Sequence, residues 1–510
     1  MTENLFNVNT EEDFVKFLNY YEAHLKTLSE MKSELSFEKL VEKKTIPEIA
    51  DYQEKIASLI LDPKFKELLD TWYDKIDDPV LERRLDLWNE HILRAKVRQN
   101  AKVRELTEEL SDKMITHKYK VNGEDSDLGT IKDILRTSPD RELRKSAWYA
   151  KHEISESLEE PLKELMALRN ELAQKEGYDS YVDMRLDLEG LGHKKVVDIL
   201  TKLTEASQPI YDQILADGKE ELGIDEIKPW DIMYLLETVG KVDTSQFPKG
   251  LIAEKLKKWA KEHGTDLDER GIEVVYTDIP YNGLCMSIKD DDIKILSNPA
   301  DGHGSYRTMF HEMGHALHSS YNQHETLAYR FDSGIFRESM AEVFGYVPRH
   351  PKWLQEMGLT EEEANQVKKN LIAPWFHYIR ERTAYALAEY EMYQDPLNCD
   401  HDAILAEKEQ EILGITHDES PRWAANTWYI NFPVYWQGYV LADVVASQIH
   451  HQLDKDHGSL HESTEAFEEV CETYLKPGAS IDWQEKIRNH TGSDIKTDAL
   501  VKDLKFYLED

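Results

Sequence analysis

Two histidines and a glutamate within five positions, His311-Glu312-Met313-Gly314-His315, constrain this chain more than any other stretch. Residues four apart on a helix lie about 40° apart around its axis, because each residue advances about 100°. Both rings then project from one face, so the fold must supply a helix there with a cavity beside it. The pair can grip a single divalent cation while Glu312 stands next to the ion's open position. Attack of a metal-activated water on a peptide bond is the chemistry this spacing points to.

Catalytic zinc usually takes three protein ligands and leaves a fourth position for water. His318 falls on the ligand face, but it lies about 4.5 Å further along the axis than His315 and about 10 Å beyond His311. One ion at about 2.1 Å from each nitrogen cannot span that distance, so His318 reads as a supporting or packing residue. The third histidine of a metzincin pattern is missing, since Tyr321 occupies its place. Glu338 is the stronger candidate. It follows a turn through Asn322–Gly334 and belongs to a second helix, Gly334–Phe344, whose Ile335, Phe336, Met340, Val343 and Phe344 form an apolar side. Glu338 and Glu342 share the other face, and buried acids at that spacing are costly without a cation. Glu338 is read as ligand, with Glu342 holding a ligand histidine by its second ring nitrogen; the reverse assignment stays open. Glu312 is left to take a proton from the attacking water and return it to the leaving amine.

The surroundings are those of a large helical protein. The chain has 510 residues, 40% hydrophobic and 32% charged, enough for a sizeable core. Its formal charge of −37 argues against a nucleic-acid partner, because a phosphate backbone demands basic patches. No stretch approaches the roughly 20 apolar residues of a membrane span. The start, MTENLFNVNTEEDF, lacks the basic-then-apolar order of a secretory signal. Three unspaced cysteines (Cys285, Cys399, Cys471) suggest neither a disulfide framework nor a CxxC site. A cytoplasmic location is the default expectation.

Residues 1–270 read as helix almost throughout. Thr10 with Asp13 forms a capping-box pattern ahead of Phe14, Phe17, Leu18, Tyr21 and Leu25. Ser138-Pro139 reads as another helix start, and Leu158, Leu162, Leu165, Leu168 and Leu172 mark a buried stripe that Gly177 ends. Between 271 and 298 the texture changes. Ile272–Ile279, Leu284–Ile288 and Ile293–Leu296, split by Pro280-Tyr281-Asn282-Gly283 and by three aspartates, fit a small antiparallel sheet. A strand edge there could take an extended peptide as another strand. The metal helix is expected from near Ser305 to past Leu317, with Met309, Phe310, Met313 and Leu317 on its buried flank. No linker interrupts the chain. The expectation is one catalytic unit, 1–510: a mostly helical lobe (1–270), the sheet (271–298) and a helical catalytic lobe with the metal site (299–510).

The segment Phe310–His318, with Glu338 and then Glu342, resembles the thimet oligopeptidase and oligoendopeptidase F family of zinc metallopeptidases. It is also similar to the angiotensin-converting enzyme family. Arg169-Asn170-Glu171-Leu172-Ala173 running to Gly177-Tyr178, and Pro229-Trp230-Asp231 with Tyr234, resemble the oligopeptidases as well. The resemblance implies a mainly α fold, a two-lobed helical ellipsoid whose deep central channel has one zinc ion on its floor and a short sheet beside it. It also implies a late tyrosine-rich segment that contacts the substrate. Tyr435-Trp436-Gln437-Gly438-Tyr439 matches it, which gives Tyr439 the role of donor to the oxyanion and makes Tyr435 and Tyr429 weaker substrate contacts. The family's histidine just upstream is replaced by Thr427–Asn431. His303, in a glycine-flanked loop, is the one histidine that could stand in. The function expected is zinc-dependent hydrolysis of internal bonds in short unstructured peptides, without nucleic acid, membrane or an implied oligomeric state. Removal of C-terminal dipeptides, or zinc-stabilised peptide binding without cleavage, are the alternatives.

Overall fold

Several helices in this protein begin where the sequence provides a side-chain cap. The computed structural model describes residues 8–279, 282–417 and 420–509. In it, the Asp13 amide donates to the Thr10 hydroxyl while the Asp13 carboxylate accepts from the Thr10 amide, and α1 (Glu11–Glu42) follows. Phe14, Phe17, Leu18, Tyr21 and Leu25 form its buried face, as their spacing predicts. Phe14 stacks on Trp72 at 5.3 Å and Tyr21 on Phe65 at 4.1 Å, each buried ring contributing roughly 1.5–3 kcal/mol. Glu22 lies inside this cluster at 1% exposure. It is tolerated there because Arg84, the Trp88 indole and the Leu327 amide all donate to it.

Ser138-Pro139 does not open a helix. The helix starts at Arg141, capped by Asp140, whose carboxylate accepts from the Glu142 and Leu143 amides. Ser138 instead closes the preceding helix, because the proline after it disfavours the helical backbone at its position. In α2 (Ser155–Lys175) the buried face runs Leu158, Leu162, Leu165, Met166, Arg169, Asn170, Ala173. Leu168 and Leu172 are only partly covered. The 3.6-residue period carries the core side away from them and onto Arg169 and Asn170.

Residues 1–270 also hold a short hairpin, β1 (Tyr119–Val121) and β2 (Glu124–Ser126). Asn122-Gly123 turns it with both φ angles positive, the signal of a two-residue hairpin turn. The main sheet contains β3 (Ile272–Tyr276), β4 (Gly283–Lys289) and β5 (Asp292–Ser297), in the order β3-β5-β4. Pro280 and Tyr281 of the expected turn lie outside the described residues. β4 and β5 pair antiparallel, as their two-aspartate connection requires, and β3 joins the other side of β5 in parallel. The hairpin sends β5 back in the direction of β3, so a β5 in the centre can offer β3 only a parallel register. Ile293, Ile295 and Leu296 of this central strand are fully buried.

The chain divides into two compact units, each drawn from three separate stretches. The first contains 1–96, 243–358 and 448–495, and the second 97–242, 359–447 and 496–510. The first unit holds the sheet, α3 (His303–Tyr321) and α4 (Gly334–Gly345). The second holds α2, α5 (Glu361–Met392), α6 (Thr427–Asn431) and the start of α7 (Trp436–Asp456). Asp231 of Pro229-Trp230-Asp231 is a hub of this second unit. Its fully buried carboxylate accepts from Arg141, Arg144 and the Lys228 amide, and Arg144 lies over the Tyr234 ring. Among the described residues, no helix is long and apolar enough to cross a membrane.

Candidate active site

Two helices and a strand edge build the candidate site. Helix α3 buries Met309, Phe310, Met313 and Leu317, and Phe310 packs edge-on against Trp259 and Trp353. That anchors one flank of α3 and turns His311 and His315 the other way. Helix α4 crosses it closely. A Cβ on Gly314 would lie 2.7 Å from the Ala341 Cα and 3.0 Å from the Met340 carbonyl oxygen. Glycine is thus the residue that lets the two backbones approach far enough for Glu338 to reach both histidines. Gly314→Ala is expected to lower stability by about 1–3 kcal/mol through overpacking and to weaken metal retention. Thermal melts with and without chelator check both effects.

The donor atoms of His311, His315 and Glu338 all lie within 4.8 Å of one another. Glu338 Oε2 is 3.5 Å from His311 Nε2 and 3.7 Å from His315 Nε2. Ligands about 2.1 Å from a tetrahedral ion sit about 3.4 Å apart, so this set fits zinc. His318 takes no part. Its Nε2 pairs with Asp332 at 2.9 Å, and Lys486 lies 3.5 Å from the same carboxylate. Burial opposes a charge on Asp332, but Lys486 and His318 outweigh it and keep its pKa low.

Glu342 faces the other ring nitrogen of His311, with Oε1 3.2 Å from Nδ1. Arg307 grips both of its oxygens at 2.6 and 2.8 Å. Burial disfavours the Glu342 charge, yet Arg307 and His311 hold the carboxyl well below the usual range. Burial likewise opposes a charge on His311, but Glu342 and Glu338 overcome it and raise the ring to about 10. The two acids thus draw positive charge to this spot, as a cation site must. Burial lowers His315 to about 3, which keeps it neutral and able to ligate. Glu312 is 8% exposed. Burial raises its pKa, the neighbouring acids add to this, and His311 and a hydrogen bond from the Cys285 backbone oppose it. β4 passes directly over Glu312, since a Cβ on Gly283 would lie 2.7 Å from its Cγ.

His303 is not a loop residue. It begins α3, is buried, and its Nε2 lies 2.8 Å from the Pro348 carbonyl oxygen. Burial lowers its pKa to about 4, and burial does the same to His377, His401 and His461. The unfolded chain therefore binds protons that the folded chain refuses below about pH 6.5. Stability is expected to fall as pH drops from 6.5 towards 4, by up to about 3 kcal/mol per histidine. His303→Gln should flatten that decline in urea melts run across the range.

Tyr429, Tyr435 and Tyr439 belong to the second compact unit. Tyr429 is fully buried beside Trp423, a core residue and not a surface contact. Tyr435 and Tyr439 are partly exposed, with ring centroids 5.4 Å apart, and Trp428 lies against both. Sequence reasoning missed Arg307, although it stands one helical turn before His311 on the same face. It also missed Asp332 and the Cys285 backbone, which no sequence spacing reveals.

The Peptidase family M3 model matches residues 134–256. Oligopeptidase A of Escherichia coli (strain K12) is 37% identical over 81 residues, which cover 15% of this chain and 12% of that protein. A mitochondrial intermediate peptidase of Arabidopsis thaliana is 23% identical over 466 residues, covering 74% of this chain and 65% of the relative. Both alignments thus span less than two thirds of the relatives' own length. A crystal structure described as a putative oligoendopeptidase F superposes with a TM-score of 0.73 at 16% identity, over 99% of this chain and 93% of that one, a likeness of fold. The matched segment, these relatives and this fold make the chain similar to peptidase family M3 and together support a metallopeptidase.

Proposed function

We propose that the protein is a zinc-dependent oligopeptidase that hydrolyses internal bonds of short unstructured peptides. The convergence of His311, His315 and Glu338 donor atoms within 4.8 Å carries this reading. These three would hold the ion, which when bound polarises the scissile carbonyl and acidifies a water. Glu342 turns the His311 ring so that Nε2 faces the donor set, and Arg307 keeps Glu342 charged and in place. Glu312 removes a proton from the attacking water and delivers it to the amide nitrogen as the C–N bond breaks. Its raised pKa brings it closer to neutrality, where a carboxyl group both accepts and releases a proton readily. Strand β4, at the edge of the sheet and against Glu312, supports docking of an extended peptide by strand addition. Tyr439 is proposed to contact the peptide through its hydroxyl, the role that the resemblance gives it.

The endopeptidase part of the reading has its own test. A peptide acetylated at its N-terminus and amidated at its C-terminus is expected to be cut at an internal bond with kcat/KM within a few-fold of the free-acid form. Cleavage confined to the free acid, releasing C-terminal dipeptides, would instead establish a peptidyl-dipeptidase.

A further inference from the structure

The Arg169-Asn170 pair has no place in the mechanism above, yet Arg169 is only 3% exposed. Its guanidinium reaches across to backbone carbonyls, with Nη1 donating to Tyr429 O at 2.8 Å and Nη2 to Ile430 O at 2.6 Å. These carbonyls close α6, where a helix leaves its last acceptors without intrahelical partners. Asn170 braces the arrangement. Its amide donates to the Tyr393 carbonyl at 2.6 Å, and its oxygen accepts from the Tyr181 amide at 2.8 Å. A buried charge directed at backbone carbonyls is a costly way to stabilise a fold, but it fixes a peptide segment in two directions at once.

A second tether lies a few residues further on. Val434 has φ +53°, a left-handed backbone that strains a β-branched residue by about 1–3 kcal/mol. Its amide donates to Oε1 of Glu389, fully buried on α5, at 2.9 Å. Gln437 closes the turn by donating to the Val434 carbonyl at 2.8 Å. The segment is thus pinned from α2 at Tyr429 and Ile430 and from α5 at Val434. Between and beyond the pins it displays Trp428, Phe432, Tyr435 and Tyr439, whose rings meet at centroid distances of 4.8 to 6.3 Å. Strain retained under two buried polar side chains is a mark of a segment held for use.

We infer that Arg169 and Glu389 are positioning residues: they hold the 428–439 aromatic segment in the one conformation that presents Tyr435 and Tyr439 to a peptide. The inference rests on the peptidase reading, and it assigns a purpose to the Arg169-Asn170 motif. Without the guanidinium, Tyr429 and Ile430 lose their anchor, Val434 relaxes out of the left-handed region, and Tyr439 moves. A displacement of about 1 Å in a positioned group can lower turnover roughly 100-fold.

Hydrogen exchange by mass spectrometry on the full zinc-loaded chain, coupled to peptide kinetics, tests this. In Arg169→Gln, amides in 427–439 are expected to exchange at least tenfold faster while those in 303–321 keep wild-type protection. kcat/KM is expected to fall between 10- and 100-fold. Arg169→Lys, which can still reach one carbonyl, should recover part of both losses, and Glu389→Leu, which removes the acceptor, should reproduce the exchange change at 434–437. Tyr439→Phe, damaging by itself, should add less than threefold in the Arg169→Gln background, because the hydroxyl is already displaced. Unchanged exchange in 427–439 overturns the inference, and so does loosening without kinetic loss or a fully additive Tyr439→Phe effect. Should Arg169→Gln fail to fold, Arg169→Lys and Glu389→Leu decide the matter. A wild-type chain that cleaves no peptide sinks the peptidase reading, and the exchange pattern then decides the tether on its own.

Discussion

Glu312→Gln is expected to leave the protein folded and metal-loaded while lowering kcat on the order of 10³-fold. The carboxyl group lies on the helix that carries His311 and His315, at 8% exposure, under β4 and beside His311. An amide of the same shape keeps that packing and can still accept from the Cys285 backbone. It cannot take a proton from water or deliver one to the leaving nitrogen. Steady-state kinetics on a fluorogenic peptide, with metal content measured on the same sample, separate loss of the base from loss of the ion. Turnover near the wild-type rate would show that Glu312 is not the proton carrier.

Glu338→Ala carries the second large effect, and it is an effect on metal. Removing one of three donors, and leaving His311 and His315 without the oxygen that lies 3.5 and 3.7 Å from them, is expected to weaken zinc binding by well over 100-fold. Glu342→Ala is expected to cost roughly 10- to 100-fold in metal affinity, the effect of losing the proposed partner of the His311 Nδ1, 3.2 Å away. Competition with a zinc indicator measures both. The order of the two variants decides which acid ligates: a larger loss in Glu342→Ala reverses the assignment.

The helix that carries His311 and His315 was legible because its constraints are local. Two rings four apart, an apolar flank at Met309, Phe310, Met313 and Leu317, and a second helix of the same character after a turn all follow from helical period alone. The structure extends that helix to His303–Tyr321 and brings Glu338 between the two rings. What stayed hidden needs contacts between distant stretches. Arg307 serves Glu342 across two helices, and Arg169 serves carbonyls that lie far along the chain. Leucine spacing placed α2 correctly, but only the packed structure shows that its core face turns onto Arg169 and Asn170. The parallel β3–β5 pairing was beyond reach for a related reason. Strand order within a sheet is decided by which strand takes the centre, and the alternation of residues along one strand does not encode that choice. His303 shows the opposite case: flanking glycines suggested a loop, and the helix begins there because burial against the Pro348 carbonyl settles the ring.

The proposal that a single divalent ion drives this chemistry is tested most directly by elemental analysis of undenatured, chelator-free protein alongside a peptide-cleavage assay. One zinc per chain, with cleavage abolished by a chelator and restored by added zinc, is the predicted result. A protein that carries no divalent ion and regains no cleavage with any added metal salt would contradict the account.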